Sequence, residues 1–214
     1  MSTRFLPLFP LQLVIYPGEI VNLHIFEPRY KQLINECLEN NSTFGIPPFV
    51  NDNITELGTE VEIIELVKDY ENGEKDITVK GKSVFKIVHF YKNVPGKLYS
   101  GSEIEDSNIS YESSDELKNE VLKKMLELFR FAGLDKKIKF NPKQHVSYLI
   151  AHTVGLSLEQ EYELLTIPYE DKRLAYISEH LTQILPIVQE FEKLKEKIKA
   201  NGHFKNFPKI DFPK

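Results

Sequence analysis

The chain of 214 residues, 24.9 kDa and 41% hydrophobic, is long enough to bury a core as one large or two small domains. Its net charge of -5 argues against a dedicated nucleic-acid binder, and no run approaches the roughly 18 to 20 apolar residues that cross a bilayer. Met1 to Arg4 leads into a proline-containing strand pattern rather than a signal-peptide core, and the single cysteine, Cys37, has no partner for an intramolecular disulfide, so the expectation is a soluble, cytoplasmic protein without a membrane partner.

The first informative stretch is Phe9 to Leu33. Two apolar runs flank Pro17-Gly18, a dipeptide suited to a tight turn, which predicts strand, turn and strand. Ile20 to Ile25 carries β-branched residues with a rough period of two. At Pro28 the period lengthens. With Glu27 at the cap, Tyr30, Leu33, Ile34, Cys37 and Leu38 fall on one stripe of an amphipathic helix, where Cys37 is a small buried hydrophobe. Thr43 to Ile46 begins another extended run. Pro47-Pro48 then removes two ladder donors, which predicts an edge strand or the start of a loop through Asn51, Asp52 and Asn53. Residues 58 to 81 read as a hairpin turning at Asn72-Gly73, with a phase shift at Ile63-Ile64 that suggests a bulge or burial of both faces. Ser83 to Tyr91 is a strong strand, and Leu98 to Ile104 adds a last one.

Beyond an acidic connection from Glu103 to Glu116 the period becomes helical. Ser113 to Glu116 offers a capping box, and Leu117, Val121, Met125, Leu128 and Ala132 form a stripe ended by Gly133. A second helix opens at Asn141-Pro142 and closes at Gly155, and Ser157 with Gln160 caps a third. The last runs from near Pro168 to about Ala200, with Leu174, Ile177, Leu181, Ile184, Val188 and Phe191 on one stripe and a kink expected at Pro186. That proline interrupts the heptads, which favours packing on its own bundle over self-association through the last helix. Phe204, Phe207 and Phe212 in the tail are expected to fold back onto the domain. The implied division is 1 to 110, 111 to 202, and a tail from 203 to 214.

Residues that carry chemistry are hard to find. Gly81-Lys82-Ser83 mimics the end of a phosphate loop, but position 76, where its first glycine belongs, is Asp76, and the tripeptide sits between strands. Ser83 and Lys86 spell S-x-x-K, yet on a strand they stand about 10 Å apart. His24, His89, His145, His152, His180 and His203 show no metal-ligand spacing, and no Gly-rich dinucleotide fingerprint occurs. The expectation is no catalytic residue, no metal and no cofactor.

FPLQLVIYPGEIVNLHIFEPRYKQLI resembles the opening of the Lon protease N-terminal, or substrate-binding, domain, particularly its freestanding versions. Phe44-Gly45-Ile46, then Leu57 to Ile63, then Val79 to Ile87 match the family's later landmarks in order, so the resemblance spans nearly the whole chain. One departure is the short Asn-rich loop after Pro47-Pro48, where freestanding relatives carry a longer glycine-containing one. The resemblance implies an α+β fold: a PUA-like, partly closed β-barrel with one inserted helix, then a helical bundle with a long last helix. It also implies a non-catalytic module, because proteolysis in Lon belongs to the ATPase and peptidase domains.

Three functions compete. The first is an adaptor or holdase whose partners are unfolded or tagged polypeptides and a separate ATP-dependent protease. Its contact residues would be Phe44, Pro48 and Phe49, on an edge run open to β-augmentation. Arg29, beside Glu27, reads as a structural ion pair or cap rather than a ligand contact. The second is RNA binding through Phe85, Phe90, Tyr91 and the lysines between Lys82 and Lys97, against which the acidic total counts. The third, a hydrolase acting alone, lacks a nucleophile and base.

Overall fold

The computed structural model describes residues 3–134 and 146–200, the last two by backbone alone, and the chain divides into two compact units, Met1–Ile109 and Ser110–Lys214. It is a mixed α+β structure, with a six-stranded sheet in the first unit and four α-helices among the described residues of the second.

The first unit begins with β1 (Arg4–Leu8), β2 (Ile20–Ile25), α1 (Pro28–Asn40) and β3 (Phe44–Ile46). It continues with a two-stranded hairpin, β4 (Phe49–Val50) and β5 (Asn53–Ile54), then β6 (Leu57–Asp69), β7 (Lys75–Tyr91) and β8 (Ser100–Asp106). The main sheet runs β2-β7-β6-β3-β1-β8, and β8 also pairs with β7. Strand pairing therefore closes a circuit through β7, β6, β3, β1 and β8. The 17-residue β7 makes this possible by changing partners: Lys75 to Lys80 pair with β2, and Phe85 to Tyr91 pair with β8.

Gly81 stands at that change of partner. Its N–H donates to the Glu19 carbonyl at 2.9 Å and its carbonyl accepts from the Gly18 N–H at 2.8 Å. A Cβ there would lie 2.2 Å from the Tyr16 carbonyl oxygen, so only glycine lets the turn after Tyr16 reach the strand. The phosphate-loop look-alike is thus the middle of a strand.

Two sequence expectations are corrected here. The first strand is Arg4–Leu8, while residues 9–19 form no strand. Val14, Ile15, Tyr16 and Pro17 are buried consecutively rather than in alternation. Their polar atoms find partners off the ladder: the Thr59 hydroxyl donates to the Ile15 carbonyl, and the Tyr16 N–H donates to Glu19 Oε2 at 2.9 Å. Second, β3 is an interior strand, not an edge. It pairs antiparallel with β6 and parallel with β1, and Pro47-Pro48 follow its end, so they remove no donor from its ladder. The bulge anticipated at Ile63-Ile64 is present as a register shift between Ile63 and Glu65.

Tyr30, Leu33, Ile34 and Cys37 of α1 pack with Phe9, Ile15, Ile25, Phe44, Ile46, Val61, Ile77, Val79 and Tyr99 in one core. Burial holds the Cys37 thiol above its ordinary pKa, which suits a packing role.

In the second unit, α2 (Asp115–Phe131) starts at Ser114, whose hydroxyl accepts from the Leu117 N–H. The anticipated box at Ser113 is thus a single cap one residue later. α3 (Val146–Ile150) continues as a 3₁₀ turn, Ala151–Thr153. α4 (Leu158–Thr166) carries the predicted box between Ser157 and Gln160. α5 (Glu170–Ala200) continues through Pro186. Its first turn holds a buried pair that no local pattern announced. Arg173 Nη2 lies 2.7 Å from Glu170 Oε2, with both side chains at 1% exposure or less. The guanidinium also donates to the carbonyls of Ile167 and Ser110 and sits 4.4 Å from the Tyr148 ring. Ser147 donates through its N–H and hydroxyl to the same carboxylate. This knot ties α3, the turn before α5 and residue 110 together. The opening at Asn141-Pro142, His145, and the tail residues His203, Phe204, Phe207 and Phe212 lie outside the described residues.

Candidate functional site

A groove of about 590 Å³ opens on the first unit. Pro10, Leu11 and Gln12 follow β1, Arg29 and Tyr30 come from the first turn of α1, and Phe49 and Ile54 from the β4–β5 hairpin. Phe90, Lys92, Asn93, Leu98 and Ser100 complete the lining, from the end of β7 to the start of β8. Apolar and aromatic walls with a few polar groups are the usual make-up of a ligand site.

Each wall has a local cause. The hairpin reverses at Asn51 and Asp52, with φ of 49° and 61°, which are residues that tolerate the left-handed region best after glycine. The Phe49 N–H donates to the Leu11 carbonyl at 2.7 Å, and the Pro48 carbonyl accepts from the Thr55 N–H and hydroxyl at 3.1 and 2.9 Å. The hairpin is thereby fastened to the segment after β1. Tyr30 stacks on Phe9 with ring centroids 3.8 Å apart, which fixes one wall in the core.

The wall carrying Leu98 is clamped to α1. Glu36 accepts from Lys97 Nζ at 2.7 Å, from the Tyr99 hydroxyl at 2.5 Å and from Gln32 at 3.1 Å. Gln32 in turn accepts from the Leu98 N–H at 2.8 Å. The Lys97 ammonium, with help from Tyr99 and Gln32, holds the Glu36 carboxyl below the usual carboxylate range. Burial and the adjacent Glu36 push the Tyr99 hydroxyl well above its ordinary pKa, so it remains a donor.

Of the three residues predicted to touch ligand, the structure brings one to this groove. Phe44 is at 0% exposure, in a strand paired on both edges, and Pro48 is buried with its carbonyl occupied. A side chain in that position contacts only the core, so β-augmentation at β3 has no free ladder to use. Phe49 is half-buried and lines the groove. Arg29 pairs with Glu27 at 2.7 Å, as read from the sequence, and lies 4.5 Å over the Tyr30 ring. It lines the groove as well.

Sequence reasoning gave Leu11, Tyr30, Ile54 and Leu98 no place in a ligand site. They stand on separate elements, so no local spacing reveals them. A usable signal existed: Phe90 and Leu98 are large apolar side chains at 37% and 65% exposure, beside a turn at Pro95-Gly96. The run proposed for RNA is only partly available. Phe85 is fully buried, Lys82 faces Glu62 at 3.8 Å, and Lys97 is held by Glu36.

No group of three or more His, Cys, Asp or Glu side chains suited to a metal occurs among the described residues. His24 is bonded to Asp76 and His152 to Glu161, each at 2.7 Å. Within the described residues, no helix is long and apolar enough to cross a membrane.

A family model described as the ATP-dependent protease La (LON) substrate-binding domain matches residues 5–183. Among solved structures, the Lon N-terminal domain protein from Xanthomonas campestris is similar at 25% identity and a TM-score of 0.62, over 80% of this chain and 95% of that one. The N-terminal domain of the Mycobacterium avium complex Lon protease shares the fold at 14% identity and a TM-score of 0.62, over 84% of this chain and 98% of that one. No curated protein matches the chain by sequence.

Proposed function

Since the chain belongs to the LON substrate-binding domain family, we propose that it recognises extended, apolar segments of other polypeptides in the groove between α1, the β4–β5 hairpin and the ends of β7 and β8. The observation that carries this reading is the presence of exposed Phe90 and Leu98 in one groove with half-buried Phe49, on walls fastened by backbone and Glu36 hydrogen bonds. Large apolar side chains on a rigid frame need no reordering to receive a ligand, which lowers the entropic cost of binding.

The closed circuit of strand pairings supports reading the first unit as a small barrel of the PUA-like kind. The same family membership supports a role as adaptor or holdase for unfolded or tagged polypeptides, in the cytoplasm and beside a separate ATP-dependent protease. Recognition here works by burial and shape, without a covalent step.

The test is fluorescence anisotropy of an unstructured Phe- and Leu-bearing peptide with the whole chain. Replacing Phe90 and Leu98 together by serine should weaken binding about 10-fold or more, the cost of truncating anchor residues at a binding centre. Circular dichroism of the variant should remain that of the parent, because both side chains are exposed. An unchanged affinity would remove the groove from consideration. Capture from a lysate separates the two cellular roles: recovery of an ATP-dependent protease marks an adaptor, and recovery of many unfolded proteins a holdase.

A further inference from the structure

We propose that the groove selects apolar segments carrying an internal acidic side chain, and that the Lys92 ammonium is the group that reads it; this rests on the groove being a polypeptide site. Two cations and no carboxylate line the groove. They are not equivalent. Arg29 is compensated by Glu27, through Nη2 at 2.7 Å and Nε at 2.9 Å, and is drawn over the Tyr30 ring. Lys92 is exposed and makes no ion pair or hydrogen bond among the described residues. Lys82 and Lys97 differ from it, the first facing Glu62 and the second bound by Glu36.

On a chain of net charge -5, the groove thus holds one uncompensated positive charge between apolar walls. A ligand that buries its apolar side chains there brings part of its charge out of water, and a group opposite in sign to Lys92 is favoured while a like charge is penalised. Carboxylates at chain ends are typically captured by clustered backbone N–H groups. Here the partner is a side-chain ammonium two residues beyond Phe90, which suits a Glu or Asp side chain next to a large apolar residue in a continuous segment.

The experiment uses the whole chain and three fluorescein-labelled peptides of one Phe- and Leu-bearing sequence, acetylated and amidated, with Glu, Gln or Lys at the centre. The expected order is Glu tighter than Gln by about 3- to 10-fold, the size of a partly shielded ion pair, with Lys weakest. Lys92→Gln should bring the Glu peptide down to the level of the Gln peptide, and Lys92→Glu should reverse the order. The free-acid form of the Gln peptide should bind no tighter than its amide. Equal binding of the Glu and Gln peptides to the parent chain, or a preference that survives Lys92→Gln, overturns the role of Lys92 while the groove itself stands. A free-acid preference larger than that for internal Glu overturns the internal-carboxylate assignment. Failure of all three peptides to bind overturns both readings. Displacement of the Glu peptide by single-stranded RNA, dependent on Lys92, overturns the proposal in favour of phosphate recognition.

Discussion

At the scale of single residues, Glu36 illustrates how one carboxylate sets the shape of a distant wall. It receives Lys97, Tyr99 and Gln32, and through Gln32 fixes the backbone at Leu98. Its pKa is lowered in the folded state, chiefly by the hydrogen bond from Lys97, so the stabilisation is present above the ordinary carboxylate pKa and is lost as pH falls through the folded value. Lys97→Met should therefore lower the urea midpoint at pH 7 and lower it less once the pH is below the folded pKa of Glu36, where the carboxyl is neutral in both states. A penalty of the same size at both pH values would show that the clamp does not depend on charge. Gly81 makes the complementary point by what it lacks, since the turn after Tyr16 occupies the place of its missing Cβ.

At the scale of elements, helix signals in the second unit were legible because they are local. The box from Ser157 to Gln160 and the cap at Ser114 depend on residues within one turn. The Glu170–Arg173 pair also has helical spacing, but its worth lies in what surrounds it. Ser147, Ile167, Ser110 and Tyr148 converge on it from segments far along the chain. Arg173→Met would leave the Glu170 carboxylate buried with only Ser147 to satisfy it. The expected loss is about 3 to 5 kcal/mol in urea unfolding, and Glu170→Gln in the same chain should recover part of it, because a neutral amide tolerates burial better. A loss below about 1 kcal/mol would mean that water reaches the site.

At the scale of the whole molecule, every residue lining the groove belongs to the unit Met1–Ile109. Residues 1–109 expressed alone should therefore retain the peptide affinity of the full chain within about 2-fold; a loss of 10-fold or more in a folded fragment would place part of the site elsewhere. By itself the sequence determined the alternation of strands and one helix, the switch to helical period, the bulge, the turn residues and the buried stripe of α1, since each follows from backbone preferences and apolar spacing over a few residues. It also offered an ion pair between Arg29 and Glu27, which is present. Only tertiary structure decided that Phe44 is interior, that residues 14–17 are buried without a ladder, and that β7 pairs with β2 and then β8 while β6 lies along it. The groove is of the same kind: Leu11, Tyr30, Ile54 and Leu98 meet there because strand pairing closes a circuit, and closure is a contact between residues too far apart for any local pattern to encode.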